Sequence, residues 1–186
     1  MLHGHASDAA QAATFASELD PAGRFHHVTA AGPIGLGDGT FAWFDDTPGS
    51  LARCGSVVRS LLCGLSHDQP APVVVVGYSQ GGAAALAAMV EAVADPAPGI
   101  AALAVVSGFL AEDTQVGIDL GRLHGLPVLV QHGEADEVVP AFLAEDLVGA
   151  LRAAGVDAAL DLRPLGHERD AGSVEALRGW LEAVLP

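Results

Sequence analysis

Val73-Val74-Val75-Val76-Gly77-Tyr78-Ser79-Gln80-Gly81-Gly82, VVVVGYSQGG, is the stretch on which the fold turns. Four β-branched residues in a row, closed by a glycine, mark a short strand buried on both faces, the habit of a central strand in a parallel sheet. An alanine-rich segment follows at once and reads as a helix. Gly77 to Gly81 also fit the pattern G-x-S-x-G, which is weak as a string of letters and gains weight only from its setting. Between a strand and a helix, the serine would sit on a sharp turn with its hydroxyl at the C-terminal end of the sheet. Backbone N–H groups and the helix dipole favour a developing negative charge there. The plain alternative is a glycine-rich turn with an idle serine.

Outward from this stretch the pattern repeats. Short apolar runs recur at Phe25 to Ala30, Ala101 to Ser107, Pro127 to Gln131 and Ala158 to Arg163, separated by segments of helical character. Those helices read as Ala9 to Leu19, Ser50 to Leu65, Gly81 to Val93, Ala141 to Ala154 and Ser173 to Leu185. Pro140 opens the fourth, where its missing N–H costs nothing, and Gly155 closes it. The last carries Leu177, Trp180, Leu181 and Val184 at helical spacing and should pack on the sheet. Alternating strands and helices specify an α/β domain with a mostly parallel central sheet flanked by helices, and residues 1–186 read as one such domain. Residues 31–49 hold too many Gly, Pro and Asp for regular structure, yet include Phe41, Trp43 and Phe44.

A serine hydroxyl is a poor nucleophile at neutral pH and needs a base, normally a histidine held in one tautomer by a carboxylate. In a sheet of this kind the expected chain order is serine, acid, histidine. Asp136, in the loop after the PVLV strand, and His167, after the last strand, fit that order. Both stand at C-terminal strand ends, where open α/β sheets place their sites. Glu134, Glu137 and Asp113 are the rival acids. Among the other histidines, His26 and His27 fall on an expected strand, His67 and His124 in polar loops. His132 precedes a glycine at a strand end, a place where histidines usually bond a backbone carbonyl. No Cys/His spacing suits zinc, and the chemistry needs no cofactor. An oxyanion needs two donors; the amide of Gln80 supplies one, and a His3-Gly4-His5 turn can aim the amide of His5 at the same point.

Composition narrows the partners. Formal charge is -15, from 23 acidic residues against 8 basic ones, a surface that repels phosphate backbones and anionic lipid. No nucleic-acid or membrane partner is expected, and no apolar run approaches the span of a bilayer. The start MLHGHASDAA lacks a basic, then apolar, secretory pattern, which points to the cytoplasm. Cys54 and Cys63 fall on opposite faces of one helix and read as free thiols.

Taken together, LHG at residues 2–4, AWFD at 42–45, GYSQGG at 77–82, HGEADEVVP at 132–140 and GHE at 166–168 resemble the phospholipase/carboxylesterase family of α/β-hydrolases. The match spans nearly the whole chain. It implies Ser79, Asp136 and His167 as a catalytic triad, and the amides of His5 and Gln80 as the oxyanion hole. It further implies a substrate pocket bordered by Trp43, Phe44, Phe109, Leu110, Val138 and Val139. The expected activity is hydrolysis of small carboxylic esters through an acyl-enzyme, with a small-molecule ester as substrate. A thioesterase, lysophospholipase, amidase, lactonase or C–C hydrolase would reuse the same residues, and a non-catalytic binding module on this scaffold is the alternative of another class. One departure stands out: the family carries a central strand just before the LHG turn, and only Met1 and Leu2 precede His3 here. The sheet is therefore expected to be missing or truncated at its N-terminal strands, or closed in another way, as by a neighbouring chain in a homodimer.

Overall fold

The computed structural model describes residues 1–68, 72–90, 99–111 and 118–185. In chain order the elements are α1 (Ala9–Leu19), β1 (Ile34–Gly35), β2 (Phe41–Ala42), α2 (Ser50–Asp68), β3 (Val73–Tyr78), α3 (Gln80–Val90), β4 (Ile100–Val106), a 3₁₀ turn (Leu120–Leu123), β5 (Val128–Gly133), α4 (Phe142–Ala153), β6 (Ala158–Arg163) and α5 (Ala171–Val184). Strands β3, β4, β5 and β6 pair in that order and all run parallel.

Side chains alternate across a strand, so each apolar run feeds two cores. Leu103, Val105, Val128 and Val130 face the layer built from α2, α3 and α4, while Ala104, Val106 and Leu129 face α1 and α5. Every one is buried, each valine or leucine contributing about 1.5–3 kcal/mol relative to an exposed side chain. The alanine-rich α3 fits because α2 comes very close: a Cβ at Gly55 would lie 3.2 Å from the Ala87 carbonyl oxygen. Small residues are what such an approach requires.

Helix boundaries follow local capping. Asp8 caps α1 by accepting the Gln11 N–H at 2.8 Å. At α5, Asp170 and Ser173 form a reciprocal capping box, so the helix starts at Ala171, two residues before the expected Ser173. The expected third helix is described only as far as Val90. His67, expected in a loop, belongs to α2.

Two expectations are corrected. The segment from Phe25 to Ala30 is not a strand; only Ala30 makes a single parallel bridge, to Leu2. The buried Asp20 carboxylate accepts the N–H groups of Arg24 at 3.0 Å and Phe25 at 2.8 Å, which turns the chain away, and Leu2 offers only one residue to pair with. His26 and His27 are accordingly exposed. Within residues 31–49, β1 and β2 form a small antiparallel hairpin, because Thr40 closes it by accepting the Leu36 N–H on its carbonyl.

Beside β3, on the side away from β4, Leu2 pairs among the described residues. Leu2 donates its N–H to Val76 O at 2.9 Å and accepts the Tyr78 N–H at 3.1 Å, bridging Gly77 on one side and Ala30 on the other. Beyond Leu2, along Val73 to Val76, lies an apolar cavity of about 440 Å³ walled by residues such as Leu61, Leu65, Leu181 and Leu185. The Met1 ammonium reaches Val28 O at 2.9 Å, and its burial lowers its pKa to about 6.

Candidate active site

Strand β3 delivers Ser79 on a turn with φ 53°, a left-handed conformation that is strained for a residue with a Cβ. The turn is possible because its neighbours are glycines: a Cβ at Gly77 would run into the Gly81 carbonyl, and one at Gly81 would lie 2.5 Å from His3 O. Only 8% of Ser79 is exposed.

Strand β5 ends at Gly133, and β6 ends just before the Leu165–His167 loop. The two loops interlock, with the Ala135 N–H donated to Leu165 O at 2.9 Å. A side chain at Gly133 would collide with the Gly166 carbonyl, so the close approach requires glycine. His167 Nδ1 lies 2.7 Å from Asp136 Oδ2, and Nε2 lies 2.9 Å from Ser79 Oγ. A carboxylate can only accept, so Nδ1 carries the proton and Nε2 is left to accept the Ser79 hydroxyl. Asp136 Oδ1 accepts the N–H groups of Val138 at 2.9 Å and Val139 at 2.8 Å. Burial works to raise the Asp136 pKa, but the bonds from Val139, His167 and Val138 outweigh it and hold the carboxyl below the ordinary range. Glu134 and Glu137 point to solvent, and Asp113 lies outside the described residues.

Around this triplet the backbone leaves two donors open. Neither the Gln80 N–H at the start of α3 nor the His5 N–H has a partner among the described residues. Gly4 packs against the serine, a Cβ there lying 3.4 Å from Ser79 Cβ, which brings the His5 turn beside Ser79. The turn is held by His3, whose Nδ1 donates to Gly4 O at 2.6 Å while Nε2 accepts the Gly32 N–H at 2.9 Å.

Sequence reasoning assigned Gln80 a backbone role only; its side chain does more. The amide accepts the Trp43 N–H and donates to Phe44 O, both at 2.8 Å, pinning the 43–44 loop to the serine turn. Tyr78 was also missed. Its hydroxyl donates to His167 O, and its ring lies 5.5 Å from the imidazole, tying the histidine loop to β3. Arg169 covers Phe15 at 4.3 Å and bonds Glu18 at 3.1 Å, fastening the same loop to α1. The only available signal was position: Tyr78 flanks the serine.

The expected pocket residues divide. Trp43 is corrected: at 1% exposure it is core, its indole N–H donating to His3 O at 2.8 Å. Val139 is also buried, its backbone engaged with Asp136 and His132. An aromatic in a glycine-rich loop looked like a wall because its backbone partners were invisible in the sequence. Phe44, Phe109 and Leu110 are half-buried, and Val138 is 69% exposed. Phe109 follows Gly108, where a Cβ would lie 3.2 Å from Ser79 O, so this stretch adjoins the serine turn. Phe142, which sequence reasoning overlooked, adds a second large exposed apolar side chain close to Val138 in the chain. Among the described residues no cluster of His, Cys, Asp and Glu is arranged to hold a metal, and no helix is long and apolar enough to cross a membrane.

Comparison with known proteins places this geometry in context. Residues 65–185 match the sequence profile of the family described as Phospholipase/Carboxylesterase. No curated protein matches the sequence. Solved structures do share the fold. A carboxylesterase from Mesorhizobium loti superposes with a TM-score of 0.83 at 20% identity, covering 97% of this chain and 86% of its own. SOBER1 from Arabidopsis thaliana gives 0.82 at 18%, covering 100% and 97%. Acyl-protein thioesterase 2 from Zea mays gives 0.74 at 22%, covering 100% and 92%.

Proposed function

The chain belongs to the phospholipase/carboxylesterase family of hydrolases, and from that premise we propose that it cleaves small carboxylic esters through an acyl-enzyme. The observation that carries the reading is the relay from Ser79 Oγ through both nitrogens of His167 to the buried Asp136. Ser79 attacks the ester carbonyl while His167 Nε2 takes its proton. Asp136 holds the tautomer and stabilises the imidazolium that forms. The free N–H groups of Gln80 and His5 receive the oxyanion. The imidazolium then protonates the leaving alcohol, and water repeats the cycle on the acyl-Ser79 ester. Phe44, Phe109, Leu110 and Val138 border the acyl group. A thioester would pass through the same steps, because the leaving-group pocket and not the triad separates the two.

Hydrolysis of p-nitrophenyl esters from acetyl to dodecanoyl, with Ser79→Ala alongside, tests this. Turnover in the parent chain that falls about 10³-fold or more in the folded variant is the expected result. The chain-length optimum then reports the depth of the acyl site, and a matched thioester series separates the two activities. Background rates in a well-folded parent chain would overturn the esterase reading in favour of a binding module.

A further inference from the structure

His132 sits on β5, four residues before Asp136, and both side chains are 0% exposed. Its Nε2 lies 2.7 Å from Val139 O and 3.3 Å from Asp136 Oδ2. A carbonyl only accepts, so Nε2 carries the proton and Nδ1 the lone pair. That Nδ1 is buried with no partner among the described residues. An apolar side chain of similar size would fill this space and leave no acceptor unsatisfied, an arrangement that costs about 1–3 kcal/mol. The histidine therefore does something at Nε2 that outweighs the loss at Nδ1.

What the Nε2–H bonds is the carbonyl that ends the turn of the orienting acid. Asp136 Oδ2, which accepts His167 Nδ1 at 2.7 Å, lies 3.3 Å from the same nitrogen, whose one proton is already donated to Val139 O. Oδ1 is held from the outside of the turn by the Val138 and Val139 N–H groups. By bonding Val139 O, His132 closes the same turn from within. We infer that His132 is a positioning residue: by holding Val139 O it staples the Asp136–Val139 turn and so fixes the carboxylate plane that His167 bonds. The inference rests on the proposed triad.

Loss of the Nε2–H frees Val139 O and lets the Asp136–Val139 turn shift, which misaligns the carboxylate against His167 Nδ1. Two measurements on the full chain test this. In the wild-type protein, ¹H–¹⁵N spectra should show a His132 Nε2–H protected from exchange with water; a ring protonated at Nδ1 instead overturns the staple. In His132→Leu, kcat should fall about tenfold with KM nearly unchanged, as for the loss of a buried hydrogen bond. His132→Gln, which keeps an N–H donor, should recover most of that loss. A wild-type kcat in folded His132→Leu overturns the proposal. If His132→Leu does not fold, the wild-type spectra decide. The spectroscopic arm needs no turnover, so failure of this inference is distinct from failure of the esterase reading.

Discussion

The C-terminal end of β3 and its free flank are built to opposite standards. At the end, Ser79, His167, Asp136, Gln80 and Tyr78 bind loops from three strands and α1 into a network in which Ser79, His167 and Asp136 are linked at 2.7–2.9 Å. Along the flank, a single residue, Leu2, bonds Val76 and Tyr78, and beyond it the strand borders an apolar cavity of about 440 Å³. Successive residues of a strand point their polar groups to opposite sides. Val74 therefore turns its N–H and C=O the same way as Val76 and Tyr78, where no described residue bonds them. The difference teaches that the geometry of the site is set by the strand ends and their glycine-rich turns, and that completeness of the sheet beside β3 bears on stability. Leu2 is where the two meet, since its carbonyl holds Tyr78 and Tyr78 holds His167.

That division can be broken or sharpened by substitution. Asp136→Asn is expected to have the largest effect, a fall in kcat of about 10³-fold or more, because the amide no longer selects the Nδ1–H tautomer. It should also change the acid limb of stability. Folding holds the Asp136 carboxyl below its ordinary value of 3.8. Its contribution is therefore complete above that pH and fades as pH falls through the lower native value. Urea unfolding should then show a gap between parent and variant at pH 7 that narrows on acidification.

Leu2→Ala should cost about 2–4 kcal/mol of stability, as for a buried leucine, measured by the same unfolding series. At 25 °C its kcat is expected to stay within about threefold of the parent if flank and site are separable. A large loss of kcat with little loss of stability would show instead that Leu2 governs the site through Tyr78.

Tyr78→Phe is the mildest. It removes the hydroxyl that fastens His167 O and leaves the ring. A fall in kcat of about tenfold or less, with KM unchanged, is the expected outcome of single-turnover and steady-state rates.

Much of this was legible in the letters. The four strands of the parallel sheet were readable because β-branched runs buried on both faces look alike wherever they occur. The serine turn was readable because only glycine permits its crossing, and the order of Ser79, Asp136 and His167 because strand ends converge on one edge. Phe25 to Ala30 misled because a β-like pattern becomes a strand only with a partner beside it, and Leu2 offers one residue. Trp43 misled because its burial depends on His3 and Gln80, neither near it in sequence.

Local chemistry therefore determined the elements, the turn that presents Ser79 and the residue types able to form a relay, since each follows from neighbours along the chain. Only the tertiary structure decided which acid is buried, that Gln80 and Tyr78 clamp their loops, that His132 bonds the carbonyl of Val139, and how the described sheet ends at Leu2. These are contacts between residues far apart in the chain, or side-chain directions within a turn, and a hydrogen bond depends on distance and angle that no spacing of letters specifies.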